Sequence, residues 1–513
     1  MTIERKNLIV SRCDKTMVFA FCWLIYFLPI SISLIEWGFG IAFIAYIIKR
    51  LTMFRFELTQ TQIQSWRDQI LFFLKSFKPV SSPLNFPIGL FTLASLMSVI
   101  FSQCFPLSIK GFVFKLLENI FFCFLMIECM NSRKRIQIFI TVFLISIAVI
   151  SIDGIYQYLN GIDFLRQHLL ERNRVEASFR HPNDFGAYLI IVISFLFNYS
   201  FASRKSLTDH KGSQWFFNRI MVCVLFVLAT VCMGLTLSRG AWIGFFVGLI
   251  FTAFSGRRQF VVVLVVIGSF ILIFNPMLKH LRNVSFISDD IGNDRQYYKQ
   301  FLDKQSQTAN EMTVESNASS VGDGNMALHK NVDGGLMKKI GKKLLDMTVP
   351  LTVHDFNIAN IFTGRLSGMG RLAWWSEIID VIKAHPLFGT GLNTYTKIEE
   401  KTGYPYPHNC YLQMAFEIGI VGLLAFLFII WCIFYNGFLS FKKITDPYYK
   451  HLLMGLLAGL LGFLVHSAFD TNFYSVQLSA LMWIWMGFII AVQKLGVASS
   501  GKAKDESILA KQS

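Results

Sequence analysis

Charge is scarce in this sequence: only 16% of its 513 residues are Asp, Glu, Lys or Arg, where a soluble domain carries about a quarter. That shortage excludes a soluble enzyme and a disordered scaffold, because neither could keep so few charges in contact with water. The nine cysteines include no CxxC pair and no His/Cys ligand spacing, so neither a zinc site nor a redox motif is implied. Six of them (Cys22, Cys123, Cys129, Cys223, Cys232 and Cys432) lie in apolar runs, where a thiol acts as a small hydrophobe. No period of a solenoid recurs, and no DxD or other carboxylate cluster suited to a divalent cation is present. The apolar stretch after Lys15 outruns a signal-peptide core and lacks a small-residue cleavage site, so no cleavable leader is expected. What is abundant is hydrophobicity: 54% of residues are hydrophobic and 15% aromatic. The expected fold is all-α, a polytopic helical membrane protein.

A span needs roughly 20 apolar residues. Twelve are expected, near 17–32, 34–48, 87–103, 111–130, 136–156, 184–202, 219–236, 240–255, 259–275, 411–436, 451–469 and 474–493. Met17–Ile48 is too long for one helix, and Pro29, Ser31, Ser33 and Glu36 favour two short ones. The net charge of +16 does not signal nucleic acid, because its cations sit between apolar runs. With the N-terminus inside, the short inner segments hold 26 Lys/Arg and the outer ones six, which places both termini in the cytoplasm. Three regions follow: a nine-span part at 1–275, a large outer loop at 276–410, and a three-span part with a tail at 411–513.

The loop carries a polar, Gly/Asn/Ser-rich insertion near 285–350. Within it LMKKIGKKLLDM has the pattern of a basic amphipathic helix on a bilayer surface, or of a solvated one. A second helix is expected from Met369 to His385, with Leu372, Trp375, Ile379 and Ile382 on one face. The LFGTGLNTY that follows has the glycine spacing of a tight turn, compatible with a phosphate cradle.

Polar groups gather at the outer ends of the spans. Arg239 lies in the minimal turn LSRGAWIG, where a guanidinium is costly unless it meets an anion or snorkels. Arg180, His181, Asn183 and Asp184 precede a helix start, a place that favours anions, although Asn183 would also serve as a cap. Arg371 opens the Trp-bearing helix, and His408 and Asn409 precede the tenth span. His466 and Asp470 are four apart and would share a helical face. Lys115, Glu118, Asp153 and Glu417 are intramembrane charges, of which Lys115 and Glu118 would neutralise each other at i, i+3. Cys104 and Cys410, nearest the outer face, are the pair an oxidising compartment would join. Together, arginines and a histidine at one membrane face suit a diphosphate-bearing lipid: Arg forks hold phosphate oxygens, and a neutral imidazole takes a proton from an attacking hydroxyl.

In FRHPNDFGAYL (179–189), LSRGAWIGF (237–245), GRLAWW…HPLFGTGLNTY (370–395) and PHNCYLQMAFEIGIVGLL (407–424) the chain resembles the O-antigen ligase / O-antigen polymerase superfamily of bacterial envelope enzymes. The first 170 residues resemble it only in span pattern. The resemblance implies a metal-independent, inverting glycosyltransferase of the inner membrane, with no cofactor. It would move a glycan from undecaprenyl diphosphate to an acceptor hydroxyl at the periplasmic face. Ligases of the family use a lipid A core sugar as acceptor, and polymerases use another carrier-linked repeat unit. By motif, the essential arginines fall on Arg239 and Arg371, with Arg365 a rival for the second, and the histidine on His408. Arg180, Asn183, His466 and Asp470 join as substrate-binding candidates, and the long insertion is a departure from the family. A lipid-linked glycan flippase is the rival from another class; it would show pseudo-repeats and polar residues at mid-membrane.

Overall fold

A computed structural model describes residues 2–61, 65–170, 173–202, 212–254, 256–283, 375–376, 378–395, 397 and 407–512, with only the helical backbone given for 212–218, 275–283 and 502–512. Arg365, Arg371 and the amphipathic segment near 336–344 lie outside these residues. The chain divides into two units, one of residues 1–274 and 374–513 and one of 275–373. All that follows concerns the first.

The described residues form an all-α, multi-pass membrane protein. They contain no strand, only an isolated antiparallel bridge between Ile162 and Leu169. In order the helices are α1 (Ile3–Phe27), α2 (Ile32–Thr61), α3 (Trp66–Ser76), α4 (Asn85–Ile100), α5 (Phe105–Gly111), a π-helical turn (Phe112–Leu117) running into α6 (Glu118–Cys129), α7 (Arg133–Asn160), α8 (Pro182–Tyr199), α9 (Gly212–Leu235), α10 (Arg239–Ala253), α11 (Arg257–Asn283), α12 (Cys410–Lys443), α13 (Pro447–His466) and α14 (Val476–Gln512). Each of the twelve expected segments coincides with a helix. Six helices among the described residues are long and apolar enough to cross a membrane, and three shorter apolar ones accompany them.

The first apolar stretch is two helices. Pro29 interrupts it, and the carbonyls freed at the turn are taken up elsewhere: Gln477 Nε2 donates to Leu28 O at 2.8 Å and Ser178 Oγ to Pro29 O. In lipid such groups have no water to turn to, so the turn is fixed by its neighbours.

The core is built on α8, α13 and α14, apolar on every side and enclosed by the others. Glycines bring α10 and α13 into backbone contact. A Cβ at Gly244 would meet the Gly462 carbonyl at 2.5 Å, and one at Gly186 would meet Ala241 of α10 at 2.7 Å. This close crossing decides which side chains meet at the end where α8 and α10 begin and α13 stops.

At the other end α1, α2, α6 and α7 share an ion-pair network. Lys49 Nζ lies 2.8 Å from Asp14 and 2.7 Å from Glu128, Arg50 lies 2.6 Å from Glu128, and Arg135 lies 3.2 Å from Asp14. Three cations of the charge-bias argument are therefore paired with two carboxylates and largely buried, and the pairing offsets much of their desolvation.

Candidate functional site

Three helices, α8, α10 and α12, begin at one end of the bundle, and their first turns direct backbone N–H groups towards the polar residues gathered there. At α10 the Ser238 hydroxyl accepts from Ala241 N at 3.4 Å and Arg239 is the first helical residue, with its side chain exposed. The turn before it is held rigidly. Leu237 adopts φ +51°, Thr236 Oγ1 accepts from Ser238 N, and Trp242 Nε1 donates to Met233 O at 3.1 Å. At α12 Asn409 caps the Tyr411 and Leu412 amides. At α8 the cap position is His181, followed by Pro182.

His408, just before that Asn409 cap, is itself in the left-handed region, at φ +47°. An L-residue holds this conformation only when its surroundings impose it. Two contacts do so: Trp375 Nε1 donates to the Pro407 carbonyl at 2.8 Å, and His408 Nδ1 lies 3.2 Å from Asp470 Oδ1. A carboxylate only accepts, so Nδ1 carries the proton and Nε2 of the neutral ring is left as an acceptor. Asp470 also accepts from Thr471 N, and its carbonyl takes the Cys410 thiol. Burial pushes the Asp470 carboxyl up, but the His408 hydrogen bond, the nearby His466 and the Thr471 amide outweigh it. The group is held well below the usual carboxylate range.

His466 and Asp470 do not pair as their spacing suggests. The helix ends at His466, so Asp470 leaves its face and turns to His408. His466 is buried, and its Nδ1 lies 2.9 Å from Asn472 Nδ2. The Ser467 hydroxyl donates to Phe463 O and so accepts from the same Asn472 amino group. That orients the amide and leaves His466 Nδ1 as acceptor, with its proton on Nε2, on the edge of the ring that faces Gly240.

These contacts link the sequence motifs. A Cβ at Gly240, the residue after Arg239, would touch Phe469 Cβ at 3.0 Å and His466 at 3.3 Å. Phe469 adjoins Asp470, and Asp470 holds His408. Arg239, His408, His466 and Asp470 thus occupy one end of the bundle. Arg180 is exposed beside them, and Asp184 is in electrostatic reach of both Arg180 and Asp470. Asn183 is neither a cap nor open to a ligand through its oxygen, which accepts from Arg174 at 2.8 Å. Arg174, which the motifs did not single out, also donates to Thr236 O and ties the α8 start to the α10 turn.

Other expectations are corrected. The glycine loop cradles no phosphate with its amides, because they are already engaged. Thr390 N and Gly391 N donate to the carbonyls of Phe416 and Glu417, and Asn393 N and Tyr395 N to the Glu417 carboxylate. They fill a break in α12 at Gly419, where φ is +71° and a Cβ would run into the Leu387 carbonyl. The loop does bind a carboxyl group, but an internal one, that of Glu417. Lys115 donates to Asn393 Oδ1 at 2.7 Å, and Glu118 bonds Glu36 instead of Lys115, because the π-helical turn removes the i, i+3 register. The helix before the loop packs through Ile378, 6% exposed, with Val381 and Ile382; Ile379, at 39%, faces outward. Cys104 and Cys410 are both free thiols. Cys410 is buried against Asp470 and Phe473, and Cys104 meets Lys397.

Fold and cluster define a polytopic helical membrane protein whose basic and histidine side chains collect at one end of the bundle. Residues 224–427 match the family model described as O-Antigen ligase, so this part of the chain is similar to that family. A search of curated proteins finds no match. The matched stretch contains Arg239, Arg365, Arg371 and His408, whereas Asp470, which fixes the His408 ring, lies beyond it.

Proposed function

We propose that this protein is an O-antigen ligase-like glycosyltransferase. It moves a glycan from undecaprenyl diphosphate to a hydroxyl of a lipid A core sugar at the periplasmic face of the inner membrane, with both termini in the cytoplasm. Twelve spans are assigned, nine in 1–275 and three in 411–513, separated by the loop 276–410. The observation that carries the reading is the chain of contacts from Arg239 through Gly240, Phe469 and Asp470 to His408. It gathers a phosphate-binding cation and an oriented imidazole at one end of the bundle.

In the reaction the acceptor oxygen attacks the anomeric carbon as the bond to the diphosphate breaks, giving inversion in one displacement. His408 Nε2 takes the hydroxyl proton while Asp470 stabilises the imidazolium through Nδ1. Arg239 and Arg371 hold the diphosphate and stabilise the charge that grows on it, so no metal ion is required. Arg365 is the rival to Arg371, and Arg180 and His466 line the donor head group. Asn183, held by Arg174, shapes the turn.

The test is envelope glycan analysis in cells lacking the gene and complemented with variants. Arg239→Ala should lower transfer by about 10²–10³-fold, and His408→Ala should abolish it, with membrane insertion intact for both. Normal transfer by either variant removes that residue from the mechanism. Loss of all capped core identifies a ligase; a single repeat left on the core identifies a polymerase of the same superfamily.

A further inference from the structure

Helix α3 belongs to none of the expected spans, and its chemistry is unlike theirs. Its sequence WRDQILFFLKS places Phe72 and Ser76 on the side turned to α2, where the rings of Phe72 and Phe73 contact Phe54 at 5.9 and 5.3 Å. Arg50 donates to Ser76 O at 3.3 Å, fixing the end of α3 to the buried ion-pair network. The orientation of α3 is therefore set. The face turned away from α2 carries Trp66 (65% exposed), Ile70 (50%), Leu71 (65%) and Leu74 (60%). No residue of α3 is buried.

Two observations identify what covers this face. First, α3 packs beside a helix with an exposed apolar stripe of its own, in which Trp37, Ile44 and Ile48 lie at helical spacing. Second, the apolar residues are flanked by Arg67, Lys75 and Lys78, all exposed, with Asp68 the one carboxylate. Arg67 lies over the Trp66 ring at 5.6 Å, an arrangement that buries its stem and directs its head outward. An apolar face edged by cations, beside a membrane span and ending in a tryptophan, matches an interface whose interior is hydrocarbon and whose rim is anionic.

We propose that α3 is a binding site for acidic phospholipid headgroups. It runs back alongside α2 on the side of the ion-pair network, with Trp66, Ile70, Leu71 and Leu74 turned to the lipid and Arg67, Lys75 and Lys78 on the phosphates. This is independent of the glycan chemistry at the other end of the bundle.

The experiment uses the full-length protein in nanodiscs of phosphatidylcholine with and without phosphatidylglycerol. A photo-crosslinking amino acid at Leu71 or Leu74 should attach to phospholipid, with phosphatidylglycerol over-represented among the adducts. The same group at Phe72 should attach to protein. Combining Arg67→Gln, Lys75→Gln and Lys78→Gln should lower the phosphatidylglycerol retained on purification by roughly ten-fold or more, given about 1 kcal/mol for each basic residue near an anionic surface. Adducts at Leu71 and Leu74 with a protein, lipid adducts with no headgroup preference, or unchanged phosphatidylglycerol retention would each overturn the proposal. The crosslinking arm keeps all three cations, so it stands even if the triple variant folds poorly.

Discussion

Where α1, α2, α6 and α7 meet, Asp14, Lys49, Arg50, Glu128 and Arg135 bond one another at 2.6–3.2 Å, and their side chains are largely withdrawn from solvent. At the other end of the bundle Arg180 and Arg239 are exposed, and His408 commits one ring nitrogen to Asp470 while the ring stays about one-third exposed. Both ends collect charges that a membrane protein keeps only with compensation. The first is closed on itself, as a structural clamp is. The second reaches the surface through Arg180, Arg239 and the His408 ring. Charge count alone does not separate the two; the burial of the side chains does.

The sharpest way to break this contrast is Asp470→Asn. Without the carboxylate the His408 ring loses the acceptor that fixes its tautomer. Transfer should fall by about 10²–10⁴-fold while the protein folds normally, by analogy with removal of the orienting carboxylate in a catalytic triad. Transfer rates per folded molecule check it, and an unchanged rate would make Asp470 merely structural. Glu128→Ala should do the reverse. Leaving Arg50 without its carboxylate, and Lys49 with Asp14 alone, should cost about 3–5 kcal/mol of stability, read as a lower melting temperature in detergent, with transfer per folded molecule unaltered.

A smaller effect is expected at the α12 break. Gly419→Ala places a Cβ against the Leu387 carbonyl at a left-handed φ and should cost about 1–3 kcal/mol. Melting curves would show it, and a neutral result would mean that the loop 386–395 is not clamped as described. The smallest effect is in acid. Asp470 is held below the ordinary carboxylate range in the folded protein, so its stabilisation is fully present above about pH 4, the unfolded value. It is lost as pH falls further through the folded value, and should amount to about 1–2 kcal/mol. Melting temperatures taken downward from pH 5 should drop more steeply for the wild type than for Asp470→Asn.

Much of this was legible because a bilayer forces its solution on the chain. Backbone groups in lipid must be satisfied within a helix, so twelve apolar segments became helices at the expected places. Arg239 at the head of α10 and His408 ahead of α12 were readable for the same reason, since polar residues collect where helices emerge. Partners were not readable. His466 and Asp470 have the spacing of a helical pair, but the helix stops between them. Lys115 and Glu118 have it too, but a π-helical turn rotates them apart. Arg174 gave no signal at all, because its partners Asn183 and Thr236 are 9 and 62 residues away.

The sequence by itself determined the all-helical membrane architecture, the positions of the apolar helices and the motifs similar to the O-antigen ligase family, since these follow from composition, hydrophobic run length and local residue order. Only the tertiary structure decided that Asp470 orients His408, that the glycine loop is spent on Glu417, and that α3 turns a basic-edged apolar face outward. Hydrogen bonds and packing are chosen among residues far apart in the chain. The close crossing of α10 and α13, where glycine meets glycine, brings those residues within reach of one another.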